Sequence, residues 1–189
     1  MNKLILTWLT LFSVAIPTYA TETNNQAYVN EAKQRIQVFS KTLKSKLKAA
    51  ISEGGLSNGI SVCKTEAPKI AADLSSEGWH ISRTSLKTRN PLNAPDKWEL
   101  NTLKYFEQQK ASGADVKALH KVKYSDNSFR YMQAIPTGPL CLACHGKNLS
   151  DEVKTALGKD YPYDQATGFA LGDIRGAFTL EQKRYLESL

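Results

Sequence analysis

The sequence predicts an α+β domain, one antiparallel sheet flanked by helices. Three observations carry that prediction. The first part of the chain repeats its apolar residues at three- and four-residue steps, which is helical spacing. The second part contains short alternating runs separated by tight polar turns, which is strand and hairpin patterning. At 189 residues the chain is long enough for one domain with a real core and too short for two comfortable ones. With helices and strands segregated rather than strictly alternating, an antiparallel α+β arrangement follows.

The elements are read in order. Residues 27–51 place Val29, Ala32, Ile36, Phe39, Leu43, Leu47 and Ala50 on one face, with Lys and Arg opposite. Glu53-Gly54-Gly55 ends that helix, because glycine accepts the left-handed conformation of a C-cap. A second helix follows with Ile60, Cys63, Ala67, Ile70 and Leu74 in register, so Cys63 points with the core residues. Pro68 is expected to kink or restart it near Thr65 to Ala67, and Glu77-Gly78 to close it. "WHISRTSLK" reads as a strand and "TRNPLNAPD" as a loop. Asp96 is placed to cap a helix through "KWELNTLKYFEQQKAS", stopped by Gly113. "VKALHKVKY" and "SFRYMQAIP" form a hairpin across "SDN". "SDEVKTALG" is a short capped helix, "KDYPYDQATGFA" a loop and "GDIRGAFTLEQ" the last strand.

The first residues, "MNKLILTWLTLFSVAIPTYATET", have a positive start at Lys3, an apolar run from Leu4 to Ile16 and a small-x-small site ending at Ala20. That is the pattern of a secretory signal peptide, residues 1–20, cleaved near Ala20. Residues 21–189 would then be the mature domain, expected in the periplasm. No later segment is long and apolar enough to span a bilayer. The full chain carries a net charge of +7, and loss of Lys3 leaves +6. Export speaks against a nucleic-acid partner, and the only dense basic run, "KTLKSKLK", lies on a helix face. In an oxidising compartment cysteines usually pair, yet three is an odd number.

Two of the three cysteines stand in "PLCLACHGKN" at the spacing C-x-x-C-H. Covalent haem attachment needs two thiols that reach the two vinyl groups on one porphyrin edge, and a histidine directly after them to ligate the iron. C-x-x-C-H supplies both in one turn, so Cys141 and Cys144 read as thioether cysteines and His145 as the proximal ligand of one haem c. Tetrahedral zinc would want a second pair of ligands, and only Cys63, His80 and His120 could contribute. A thioredoxin-like site would want the motif at a helix N-terminus after a strand, whereas here a Pro/Gly loop precedes it. A disulfide across the motif is the third rival.

Residues able to supply a sixth ligand are few: Cys63, His80, His120, Met132 and lysines. Met132 and both histidines sit in strand-like runs. Cys63 has no disulfide partner if the other two cysteines hold haem, and it lies on an apolar helix face, where a packed thiol is equally natural.

Four stretches together resemble the Tll-like c-type haem family, small PAS-like haem domains formerly classed as a domain of unknown function. They are "ISVCKTEAPKIA", "RTSLKTRNPLNAPDKWE", "CLACHG" and "YPYDQATGFALGDIRGAFTL". The resemblance covers nearly all of the mature chain. It implies a PAS-like antiparallel sheet and an axial pair of histidine and cysteine, which maps onto His145 and Cys63. Haem propionates call for cationic partners, and Arg83, Arg89, Arg130 and Arg175 are the candidates, with Arg89 and Arg175 singled out.

Six-coordinate iron argues against a resting oxygenase or peroxidase. The expected role is redox or small-gas sensing (CO, NO or O2), with Cys63 as a switchable ligand acting through a separate signalling partner. The alternative is low-potential electron transfer to an acidic redox partner. A peroxidase-like enzyme comes third, and would need His80 or His120 as acid/base.

Overall fold

The computed structural model describes residues 19–125 and 128–183. The expected signal peptide lies outside them apart from its last two residues, as do two residues of the "SDN" turn. The architecture is a four-stranded antiparallel sheet in the order β1-β4-β3-β2, packed between helices. Its strands are β1 (Trp79–Thr84), β2 (His120–Ser125), β3 (Ser128–Pro136) and β4 (Ile174–Lys183). The α+β expectation, one domain with helices flanking an antiparallel sheet, is met.

Helix α1 (Tyr19–Asp73) is two arms folded back on each other at Gly54 and Gly55, whose backbone is non-helical. Gly55 has φ of 71°, so the expected glycine stop appears as the corner of a helical hairpin. Three contacts fix the pairing of the arms: Asn58 donates to the Ala50 carbonyl at 3.0 Å, Lys46 pairs with Glu66 at 3.0 Å, and Arg35 donates to the Leu74 carbonyl at 2.7 Å. At Gly59 the arms come so close that a methyl group would press on Ile51. The second arm departs from expectation at Pro68. Proline removes one backbone donor, yet the arm stays helical through it to Asp73, because burial of Ala67 and Ile70 against the sheet outweighs the lost bond.

The pleat sends alternate residues to opposite faces. Phe129 and Tyr131 of β3, with Trp79, Ile81, Phe178 and Leu180, meet Val29, Ala32, Ile36 and Phe39 of α1. Met132 and Ala134 face the other way, onto Leu103 and Phe106 of α2 (Lys97–Ala111). Asp96 caps α2 as expected, in a full capping box with Glu99. Glu99, buried, also accepts from Thr179 at 2.7 Å and from Arg130 at 3.1 Å, which ties the start of α2 to the sheet. The hairpin strand β2 begins at His120, later than expected. Residues Val116–Ala118 form a 3-10 turn capped by Asp115, which takes those backbone groups out of the ladder.

Two short helices close one end: α3 (Pro139–His145) and α4 (Asp151–Asp160). Val153 and Leu157 of α4 bury against Ile60 of α1, with Cys144 packed on the same cluster. No helix among the described residues is long and apolar enough to cross a membrane.

Candidate cofactor site

The C-x-x-C-H segment forms α3. Pro139 suits the first helical position, and Gly146 ends the helix after two turns. The sequence led us to expect a loop before the motif and an early stop after it. The stop is there, but the motif itself is helical. This puts Cys141 and Cys144 three residues apart on one helix face. All three cysteines are free thiols, half-buried. Among the described residues, no three His, Cys, Asp or Glu side chains converge as a metal shell, which disfavours the zinc alternative.

His145, the last residue of α3, lines a cleft of about 770 Å³ between the second arm of α1, β1, the loop after β1 and the loop before β4. That volume is in the range of sites for small molecules and cofactors. Cys63 lines the same cleft from α1, with Arg83, Arg89, Tyr161 and Arg175. Cys141 and Cys144 are not among its walls, although both lie close enough to Cys63 to influence its ionisation or respond to it. Of the other candidates for a sixth ligand, His80 stands exposed at the cleft rim. His120 is remote, stacked on Tyr131 with Nδ1 2.9 Å from the Ala118 carbonyl. Met132 is wholly buried on the α2 side of the sheet.

The His145 ring is fixed in one tautomer. Nδ1 lies 2.7 Å from the Ala166 carbonyl oxygen, which can only accept, so Nδ1 carries the proton. Nε2 lies 3.4 Å from Nη1 of Arg89, which can only donate, so Nε2 keeps its lone pair. Burial, then the positive charges of Arg175 and Arg89, push the His145 pKa down to about 2. The imidazole is therefore neutral, as a metal ligand must be. Burial raises the Cys63 thiol, while Arg83, Arg175 and Arg89 oppose that rise.

The arginines divide into two groups. Arg89 pairs with Asp164 at 3.0 Å and donates to the carbonyls of Cys144 at 2.5 Å and Ala166 at 3.3 Å. Arg130 pairs with Asp96 and Glu99 at the far side of the sheet, away from the cleft. Arg83 and Arg175 have no carboxylate partner among the described residues, and both line the cleft. Burial and the neighbouring Arg175 push the Arg83 pKa down to about 10. Burial lowers that of Arg175 as well.

Arg175 reaches the cleft through a backbone device. β3 and β4 change register here, Ile135 pairing with Gly176 but Pro136 with Ile174, so Arg175 is the extra residue of a β-bulge. Gly176 has φ of 155°, and a methyl there would collide with the Thr84 carbonyl. Ser85 donates to the Arg175 carbonyl at 2.7 Å and so satisfies the group that the bulge leaves out of the ladder. Asp164 and Tyr161 were missed as site residues at the sequence level. The only signal was that both lie in the closing-loop stretch "YPYDQATGFA".

The fold and the cleft define a class: a single-domain α+β protein with a cofactor-sized site between a helical hairpin and an antiparallel sheet. The chain belongs to the Tll0287-like family, whose model Tll0287 matches residues 17–182. Among solved structures it is similar to the crystal structure of the cyanobacterial heme-protein Tll0287. The TM-score is 0.60 at 23% identity, over 92% of this chain and 100% of that one. No curated protein matches.

Proposed function

We propose that the cleft holds one haem c, attached through Cys141 and Cys144 and ligated by His145 and Cys63, in a periplasmic redox or small-gas sensor. The carrying observation is that a neutral imidazole and a thiol line one cleft that also holds two guanidinium groups without carboxylate partners among the described residues. That donor set fits a haem: nitrogen and sulfur for the iron, and paired cations for the propionates. The heme named for the solved relative supports the same reading.

A haem there would supply a one-electron iron couple and a coordination position for CO, NO or O2. His145 presents Nε2, with the Nδ1 proton given to the Ala166 carbonyl. Arg83 and Arg175 would hold the propionates. Arg89, singled out with Arg175 at the sequence level, gives Nε and Nη2 to Asp164 and two carbonyls and keeps Nη1 on the His145 side. Cys63 would be the switchable sulfur donor of the site. Cys63 rides on the second arm of α1 beside Ser61 and Lys64, which bond Asp160 of α4 at 3.2 Å and 3.1 Å. Loss of the sulfur would therefore be felt at the junction of α1 and α4, where a separate signalling partner can read it.

One observation favours a second reading, low-potential electron transfer to an acidic redox partner. The same bracing of the Cys63 arm, with Lys46–Glu66 on its other side, would hold the ligand still and keep reorganisation small. Reduction under CO separates the two. Ready CO binding by the reduced, matured protein supports sensing; a reduced iron that ignores CO supports electron transfer.

A further inference from the structure

Around His145 a closed ring of hydrogen bonds runs through two side chains that no haem-attachment motif requires. Asp164 Oδ1 accepts from the backbone N–H of Ala166 at 2.8 Å, which orients that peptide. Asp164 Oδ2 accepts from Arg89 Nε at 3.1 Å and lies 3.0 Å from Nη2 as an ion pair. Arg89 Nη2 then donates to the Ala166 carbonyl and to the carbonyl of Cys144, the residue before His145. The Ala166 carbonyl accepts from His145 Nδ1, and Arg89 Nη1 faces His145 Nε2. The loops that carry these groups are stapled beside them, Gln165 N–H donating to the Thr88 carbonyl at 2.9 Å. Both charged side chains are nearly sealed, Arg89 13% and Asp164 8% exposed.

A buried ion pair contributes little net stability, because desolvation offsets most of its attraction. What it does well is fix geometry, and here every bond of the pair ends on a group that positions His145. The fork of a guanidinium is needed: Nε serves the carboxylate, Nη2 the two carbonyls, and Nη1 faces the ring, which an ammonium cannot do.

We propose that Asp164 and Arg89 are positioning residues that preset His145, holding its proton on Nδ1 and its lone pair on Nε2 before any prosthetic group is attached. The relevance to iron rests on the haem reading above; the presetting itself does not. An acceptor on the non-ligating nitrogen, here the Ala166 carbonyl on Nδ1, is what orients metal-bound histidines in general, whereas Arg89 Nη1 would have to yield Nε2 to the iron. The clamp also sets the Asp164 carboxylate beside the Arg89 charge, which it offsets in part.

The test is nitrogen-15 NMR of the His145 ring in the full chain produced without haem attachment. Wild type should show the Nδ1–H tautomer alone. Arg89→Met, Arg89→Lys and Asp164→Asn should each show a mixture of the two tautomers, with Lys failing to rescue because it lacks the fork. If Asp164→Asn does not fold, the two Arg89 variants decide. An unchanged Nδ1–H tautomer in the folded variants overturns the proposal. In the matured protein Asp164→Asn should raise the midpoint potential, since the Arg89 charge is then unbalanced; a purely structural pair would lower Tm and leave both the tautomer and the potential where they were. Failure of the wild-type chain to carry haem would sink the haem reading, while the NMR result would still decide the clamp.

Discussion

Arg83 and Arg175 are buried charges whose cost the fold offsets only weakly, through the Arg83 guanidinium over the Phe39 ring at 5.4 Å. Each loses hydration, Arg175 repels Arg83, and neither has a carboxylate among the described residues to offset this. Replacing an uncompensated buried charge by an apolar side chain of similar length usually stabilises a fold. Arg83→Met should therefore stabilise the haem-free chain by about 1 kcal/mol in urea unfolding, while lowering haem content after maturation. The sign follows from the depressed pKa: the penalty is full below about pH 10 and lifts only above it, so the gain should hold across neutral pH. Equal stability and equal haem content in the variant would count against a role for Arg83 in holding the propionates. Cys141, Cys144 and His145 stood out in the sequence because a haem-attachment motif depends on contiguous spacing. The partners of His145 were not. Arg89 and Asp164 stand 75 residues apart in the chain, and only the closing of two loops brings them to one ring.

At the scale of elements, most helices and strands declared themselves through period and punctuation, and the departures have local causes. Pro68 stays within a helix because tertiary burial outweighs one missing hydrogen bond. The β-bulge in β4 left no periodic trace beyond the string "GDIRG", and it is the device that aims Arg175. Gly176→Ala should cost about 2 kcal/mol or more and remove Arg175 from the cleft, because the backbone there suits glycine and the Thr84 carbonyl blocks a side chain. A normal Tm in that variant would show that the bulge is not constrained. The turn before the bulge is held by Asp173, which accepts from Lys110 at 2.6 Å and from the Ala170 N–H at 2.7 Å. The Lys110 bond and then the Ala170 bond hold its carboxyl below the usual carboxylate range. Its contribution is present above the unfolded pKa, near 3.9, and is lost as pH falls through the lower folded value. Given its partial exposure, about 1 kcal/mol is expected. Asp173→Asn should show that loss at pH 7 and a correspondingly weaker fall in stability below pH 4; parallel pH profiles for the two proteins would contradict it.

For the molecule as a whole, three layers set the site: the α1 hairpin, the sheet and α2. The order of layers was readable in the α+β pattern, but which sheet face carries the cleft depends on pleat register and bulge, which one sequence does not state. Phe129, buried at 0% exposure among Tyr28, Trp79 and Tyr131, joins the first arm of α1 to the sheet. Phe129→Ala should destabilise by about 3–5 kcal/mol and lower Tm on the order of 10 °C. Calorimetry showing a fall of only a degree or two would mean that α1 is not anchored there. All of these parts frame the cleft that Cys63 and His145 share. The most direct measurement is the ferric absorption spectrum of the matured protein beside that of Cys63→Ala. The expected result is covalent haem in both, with sulfur ligation in wild type that disappears in the variant. Identical spectra, or a wild-type chain without covalent haem, would contradict it.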